Sequence, residues 1–376
     1  MDADEPGRRL TALVDRVYDV VARARYRAFG RPEQGLTPRP EYRNRFVLNR
    51  ESAMRIVIPG GSGQVGTVLA RAFHGDGHDV VVLSRRPDIR PWRVVSWDGA
   101  TLGNWQREVD GCDAVINLTG RSVNCRYTRA NRTEILQSRL LSTRVVGQAI
   151  GRATRPPRVW LQASTATIYS HRYDSPNDER SGILGGQEAN APESWRFSIE
   201  VARAWERAFD EATTGRTRKV SLRSAMTLSP DRGGVFDTLL GLVRRGLGGS
   251  AGDGRQFMSW VHYEDFVAAV RWLIDRDDIA GAVNVAAPNP LSNVEFMHLL
   301  REACGAPLGL PATRWMLEIG AVLMRTETEL ILKSRRVVPT RLLEHGFRFK
   351  FPVWDDAARD LCHQWKMTRG AASSAA

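Results

Sequence analysis

The sequence predicts an α/β fold, a doubly wound parallel sheet with a smaller C-terminal lobe. Three observations carry this. Short apolar stretches alternate with amphipathic ones from Met54 to about residue 229. The glycine-rich stretch "PGGSGQVG" at 59–66 stands directly behind the apolar run "MRIVI" at 54–58, as a strand breaking into a tight turn would. And at 376 residues the chain exceeds the size at which one core usually stops growing.

The elements follow in order. Residues 1–53 read as an extension. In it Leu10, Leu13, Val14, Val17, Val20, Val21 and Ala24 recur at helical steps, an amphipathic helix expected to pack on its own domain. The Pro- and charge-rich "RPEQGLTPRPEYRNR" after it reads as a linker. From Met54, "RIVIPG" is a strand and "QVGTVLARAFHGDG" a helix closed by Gly. "HDVVVLSR", "RVVSW" and "CDAVINLTG" are the next three strands, and "RTEILQSRLLSTRVVGQAIGRA" is a long helix. "RVWLQAST" is a fifth strand, "SWRFSIEVARAWERAFDEA" a helix, and "RKVSLRSAMTLS" a sixth strand. Near-continuous apolar strands between amphipathic helices belong to a parallel sheet covered on both faces. The order fits a Rossmann sheet over 54–229. Residues 230–376, richer in Gly and Pro, are expected to form mainly a substrate lobe and small C-terminal domain that returns some strand or helix to the sheet.

Composition narrows the setting. No apolar stretch is long enough to span a bilayer, and the N-terminus "MDADEPGRRL" lacks the apolar core of a secretory signal. Cys112, Cys125, Cys304 and Cys362 form no CxxC pair, so four reduced thiols in a cytoplasmic protein are expected. The formal charge is +12, but only four of the 54 basic residues are lysine and the charge is scattered. With no basic run interleaved with aromatics, nucleic-acid binding is not expected, while an anionic small ligand is suited.

The glycines are spaced Gly60-Gly61-x-Gly63-x-x-Gly66. The first makes the turn, the second lets backbone approach a pyrophosphate, and the last lets helix pack close to strand. The helix entered at Gln64 and Val65 then points its free N–H groups at the phosphates. The second strand ends in Ser84-Arg85-Arg86, not in the carboxylate that binds a ribose 2′-hydroxyl. A hydroxyl and two guanidiniums suit a 2′-phosphate, so NADP(H) is the expected cofactor.

On these residues the chain resembles the extended short-chain dehydrogenase/reductase family over about 54–365. "NLTG", with Leu118, Thr119 and Gly120, is similar to the family's segment beside the nicotinamide ribose. "STATIY" is similar to its catalytic segment, with Ser164 on the cofactor side and Thr165 at the active-site Ser/Thr position. Met226 completes the cofactor-binding set that the resemblance implies. "DAVINLTGRSVNCRYT", "SRLLSTRVVGQAI", "GLGGSAGDGRQFMSWVH", "NVAAPNPLSNVEFM" and "SRRVVPTRLLEHGFRFKFP" resemble one branch, labelled epimerase family, that ends in a domain of unknown function. The branch implies no particular substrate.

The family's acid/base is a Tyr-x-x-x-Lys pair, in which Lys lowers the Tyr pKa. Here the tyrosine position falls on Phe197 and the lysine position on Val201, and no Tyr-x-x-x-Lys occurs in the chain. Tyr169, four residues past Thr165, is the first candidate for a replacement acid, and His262 in "SWVHYEDF" the second. Gln256 and Trp260 are read as pocket-lining residues. "Arg126-Tyr127-Thr128" is read either as a substrate contact or as a cap on the next helix. Glu206 reads as a solvated or lobe-contacting helix residue and Lys333 as an exposed ion pair. Two readings stand: an NADP(H)-dependent reductase or epimerase on a small carbonyl or sugar-like substrate, which is preferred, and a non-catalytic NADP(H)-sensing protein. No metal is expected, and a homodimer is left open.

Overall fold

A computed structural model describes residues 53–188, 191–323 and 327–374. Apart from Ala53, the N-terminal extension with its helix and linker lies outside the described residues. The first half alternates as the sequence predicts: Arg55–Pro59 (β1), Gln64–Gly75 (α1), Asp79–Ser84 (β2), Arg93–Ser96 (β3), Ala114–Asn117 (β4), Arg129–Arg152 (α2), Val159–Thr165 (β5), Glu193–Asp210 (α3) and Arg218–Ser224 (β6). Then come Met226–Leu228 (β7), Val235–Arg244 (α4), Phe257–Met258 (β8), Trp260–His262 (β9), Tyr263–Asp275 (α5) and Gly281–Val285 (β10). Leu291–Ser292 (β11), Asn293–Cys304 (α6), Arg314–Leu323 (α7), Glu329–Leu332 (α8), Thr340–Glu344 (α9) and Trp354–Ser374 (α10) complete the fold.

Seven strands form one sheet in the order β10-β6-β5-β4-β1-β2-β3. Every pairing in it is parallel. The chain starts in the middle, runs out through β2 and β3, then crosses back to β4 and out the other way. Strand order therefore reverses between β1 and β4, and a crevice opens beyond their C-terminal ends.

The pleat explains both cores. Ile56, Ile58, Val80, Val82, Ile116 and Leu161 face α1 and α5, meeting Leu69, Phe73, Phe266, Val270 and Leu273. Val57, Val81, Leu83, Val115 and Trp160 point the other way, onto Val145, Val146, Ile150 and Phe209 of α2 and α3. Strand side chains alternate between faces, so each strand feeds both layers. Each such side chain fully removed from water contributes roughly 1.5–3 kcal/mol before entropy is counted.

A separate core builds the C-terminal lobe from Phe236, Leu240, Trp260, Phe296, Leu300, Trp354, Leu361 and Trp365. Trp354 stacks on Phe296 with ring centroids 4.0 Å apart and donates its indole N–H to the Phe296 carbonyl. Two expectations are corrected here. "RKVSLRSAMTLS" is not one strand: it breaks at Ala225, where β6 stays between β5 and β10 while β7 turns into the lobe to pair with β9. Nor are all four cysteines reduced. Cys304 of α6 and Cys362 of α10 form a disulfide across 58 residues, with Cα atoms 5.9 Å apart, while Cys112 and Cys125 are free. Their partnership arises from helix packing, which spacing in the sequence does not reveal.

Asp265, buried near the start of α5, fastens the lobe's last helix. Its carboxylate accepts from the backbone N–H groups of Lys350 (2.6 Å) and Phe351 (2.9 Å), just before α10. Asp265→Ala leaves both donors without this acceptor, the Phe351 N–H in a buried position. The expected loss is about 2–5 kcal/mol, read as a lower denaturant midpoint at unchanged slope, with Asp265→Asn losing less.

Candidate functional site

The crevice at the reversal point is lined by backbone. Gly60 has φ +74°, and a Cβ there would lie 2.7 Å from Thr119 Cα. A Cβ on Gly61 would meet the Ile58 carbonyl at 2.9 Å, and one on Gly66 would lie 2.4 Å from Gly61 Cα. Only glycine fits at these positions, so β1, α1 and the loop after β4 close on one another without side chains between them. Gly63 begins α1, and no side chain caps the helix, so its first N–H groups face the crevice. Gln64 donates to Ser229 Oγ at 3.0 Å, and Val65 packs on the sheet core.

The loop after β4 is fixed by its own hydrogen bonds. Leu118 N–H donates to the Pro59 carbonyl, Thr119 N–H to Asn117 Oδ1, and Asn117 Nδ2 to Gln162 Oε1 of β5. Thr119 Oγ1 is buried with no partner among the described residues. At the end of β2, Ser84 Oγ accepts from the Arg86 N–H and donates to the Arg86 carbonyl, which folds the chain so that Arg85 and Arg86 stand exposed. Among the described residues neither guanidinium has an ion-pair partner. Met226 lies part-buried at the start of β7, opposite Trp260.

Beside this crevice lies a cavity of about 230 Å³ between β5, α2, α3 and α8. Ser164, Thr165 and Thr167 form one wall, and Phe197 and Val201, one turn apart on α3, form another. The two positions that the sequence assigns to the missing acid/base pair therefore do face the same space as Thr165. Ser164 Oγ donates to Glu206 Oε1 at 2.6 Å. Glu206 is not solvated: it also takes Arg223 Nε and Nη2 at 2.8 and 2.7 Å and clamps α3 to the sheet.

Two more residues of the cavity, Arg139 and Glu329, went unassigned in the sequence. Arg139 of α2 donates through Nη1 to the Arg121 and Ile135 carbonyls and lies 4.9 Å over the Trp205 ring. Its Nε and Nη2 have no acceptor, and it has no carboxylate partner, among the described residues. Burial pushes its pKa down to about 10. The signal was present: Arg139 lies four residues from buried Ile135 and Thr143, on the inward stripe of α2. Glu329 is buried, pairs with Arg335 at 2.6 Å, and accepts from Ser198 Oγ at 3.1 Å. It starts a four-residue helix that carries no periodic pattern to reveal it. Tyr127 reaches the cavity from the loop before α2, while the adjacent Thr128 caps that helix by accepting from Asn131 N–H.

The structure does not bring the two candidate acids to this cavity. After β5 a 3-10 turn at Ala166–Ile168 carries the chain inward, which buries Tyr169. Its hydroxyl donates to Asn284 Oδ1 and accepts from Arg223 Nη1, each at 2.9 Å, leaving no proton for a substrate. His262 is fully buried as the cap of α5. Its Nδ1 accepts from Glu264 N–H, so Nε2 carries the proton and donates to Asp360 at 3.1 Å. His262, Glu264 and Asp360 lie close enough together to hold a metal, but neither ring nitrogen keeps a free lone pair. Gln256 and Trp260 are buried in the lobe and do not line the cavity. Lys333 is buried, not exposed. Its Nζ donates to the Thr167 carbonyl at 2.6 Å, and burial pushes its pKa down to about 7.

Comparison with known proteins gives this arrangement its relatives. Residues 56–286 match the NAD dependent epimerase/dehydratase family, and residues 312–361 match a domain of unknown function, DUF1731. The chain is similar to the Bos taurus epimerase family protein SDR39U1, at 31% identity over 312 residues, covering 82% of this chain and 99% of that one. Human epimerase family protein SDR39U1, solved with NADPH, superposes with a TM-score of 0.72 at 28% identity over 82% of this chain and 99% of that one. The nucleoside-diphosphate sugar epimerase of Corynebacterium glutamicum superposes with a TM-score of 0.65 at 26% identity, covering 83% of this chain and 59% of that one.

The His262 cap makes stability depend on pH. Burial, the leading cause, pushes its pKa from the ordinary 6.5 down to about 4. The unfolded chain therefore binds a proton that the folded chain refuses, and stability falls as pH drops from about 6.5 towards about 4. Denaturant midpoints across that range are expected to show the fall, and His262→Gln is expected to flatten it.

Proposed function

The chain belongs to the NAD dependent epimerase/dehydratase family, and from that premise we propose that it is an NADP(H)-dependent reductase or epimerase of a small carbonyl compound. The observation that carries the proposal is the bare backbone cradle at Gly60, Gly61 and Gly66, facing the uncapped start of α1 and the orphaned Thr119 hydroxyl. That cradle fits a pyrophosphate, and Ser84, Arg85 and Arg86 at the rim fit a 2′-phosphate. Arg139, with two free nitrogens beside Gly120, is assigned to the dinucleotide as well. When bound, the dinucleotide supplies hydride chemistry.

Thr165 is assigned to the substrate oxygen. Its Oγ1 accepts from Thr167 N–H, which leaves its own proton free to donate into the cavity. A cavity of about 230 Å³ lies below the roughly 300–1,000 Å³ of sites for drug-sized ligands, which supports a small substrate. A second reading, an NADP(H)-sensing protein without catalysis, is supported by Phe197 and Val201 in place of the acid/base pair. The described residues include no helix long and apolar enough to cross a membrane. A cytoplasmic site of action is part of the proposal.

Fluorescence titration with NADPH and NADH tests the cofactor reading. Tight NADPH and weak NADH binding is expected, and Arg85→Ala/Arg86→Ala is expected to weaken NADPH about 10–100-fold with little effect on NADH. Failure of both dinucleotides to bind would overturn both readings. NADPH binding without turnover of any carbonyl would favour the second.

A further inference from the structure

We infer that Tyr127 is the proton donor of this site, supplying from a different element the hydroxyl that α3 lacks; the inference rests on the NADP(H)-dependent reaction proposed above. Phe197 and Val201 put neither a phenol nor a cation into the cavity. Tyr127 packs its ring edge-on against Phe197, with centroids 5.2 Å apart, and lines the same cavity as Thr165. A phenol hydroxyl thus enters beside the ring that stands in the tyrosine's place.

This hydroxyl is positioned. Its oxygen lies 3.4 Å from Ser198 Oγ. Ser198 spends its own proton on Glu329 Oε2, so the phenol proton points toward Ser198, across a contact longer than an ordinary hydroxyl hydrogen bond that a substrate oxygen can replace. Glu329 is held by Arg335, whose Nε donates to Thr167 Oγ1 at 3.0 Å, and Thr167 N–H donates to Thr165 Oγ1 at 3.2 Å. Tyr127 and Thr165 therefore stand at the two ends of one hydrogen-bonded arc around the cavity. Both hydroxyl oxygens are held at the cavity wall before a substrate arrives, as general acid catalysis requires. Of the other polar side chains here, Ser164 is engaged by Glu206 and Glu329 by Arg335 and Ser198, while Arg139 is assigned to the dinucleotide.

The step balances. The Tyr127 O–H bond breaks and its proton goes to the carbonyl oxygen as the C=O π bond opens. The electron pair of the new C–H bond arrives as hydride from a reduced nicotinamide, and the phenolate regains a proton from water. The charged groups facing the phenol are Glu329, Arg335, Glu327 and Arg139. Burial first, and then Glu329, push the phenol up to about 12, so it holds its proton at neutral pH. A forming alkoxide is more basic than this phenolate, so the proton transfer to it runs downhill.

The test uses the full chain and the variants Tyr127→Phe, Glu329→Gln and Tyr127→Phe/Phe197→Tyr. NADPH turnover is measured with benzaldehyde, diacetyl, phenanthrenequinone and UDP-glucose, NADPH affinity by fluorescence, and phenol ionisation by ultraviolet absorbance as pH is raised. Tyr127→Phe is expected to lower kcat about 100-fold or more at unchanged NADPH affinity and to remove one late-ionising phenol. Glu329→Gln is expected to bring that phenol's ionisation down, and the double variant to regain about tenfold in rate. If Tyr127→Phe keeps turnover within about threefold, or weakens NADPH binding instead, the inference fails and the proposed function stands. If no late-ionising phenol is lost, the hydroxyl is not in this environment and the inference also fails. If the unaltered protein binds NADPH and turns over none of the four, the enzyme reading falls and the inference with it.

Discussion

The contact between Gly60 and Thr119 is the constraint from which the rest of the site follows. Two neighbouring strands end here in opposite topological directions, and their loops touch backbone to backbone. Any side chain at Gly60 would drive the ends of β1 and β4 apart. Because they stay together, Leu118 can bond to Pro59 and Asn117 can reach across to Gln162. That in turn fixes the end of β5, and with it Ser164 and Thr165. A contact made by an absent atom sets the position of residues on three strands.

Charge is distributed around the cavity with a bias. Its carboxylates are neutralised: Glu329 by Arg335 and Glu206 by Arg223. Its cation Arg139 is not, since it rests on carbonyl oxygens and the Trp205 ring, and Lys333 nearby rests on the Thr167 carbonyl, among the described residues. Removing such cations from water is unfavourable, and both are shifted towards their neutral forms by burial. The pocket is thus poor in free negative charge, which suits a ligand that brings its own. The cations come from α2 and from the segment after α8, not from the helix that carries the lysine in related enzymes.

The sheet was legible in the sequence because its strands are buried on both faces and read as apolar runs. The glycine turn was legible because its spacing reports a steric requirement. The positions of Phe197 and Val201 on the cavity wall were legible through the resemblance to the family's Tyr-x-x-x-Lys helix. What was not legible depends on tertiary path. Tyr169 follows Thr165 closely in sequence, but a single 3-10 turn sends it into the core. His262 has the residue type of an acid, yet its ring closes a helix end and meets a carboxylate from α10, 98 residues away. Glu329 and Arg335 belong to a segment with no periodicity, so nothing local marks them as cavity residues. Arg139 was the one missed residue with a readable sign, a charge on an inward helical stripe.

The edge of the sheet has a consequence for synthesis. β6 is bordered on one side by β5 and on the other by β10, which lies beyond β7, α4, β8, β9 and α5 in the chain. A nascent chain that has completed β6 must therefore wait for Gly281–Val285 to leave the ribosome. Until then Arg218–Ser224 presents a row of unpaired amide groups along its free side. Such an edge pairs readily with another chain. The interval between β6 and β10 is thus a stage of translation at which this edge is open to such pairing.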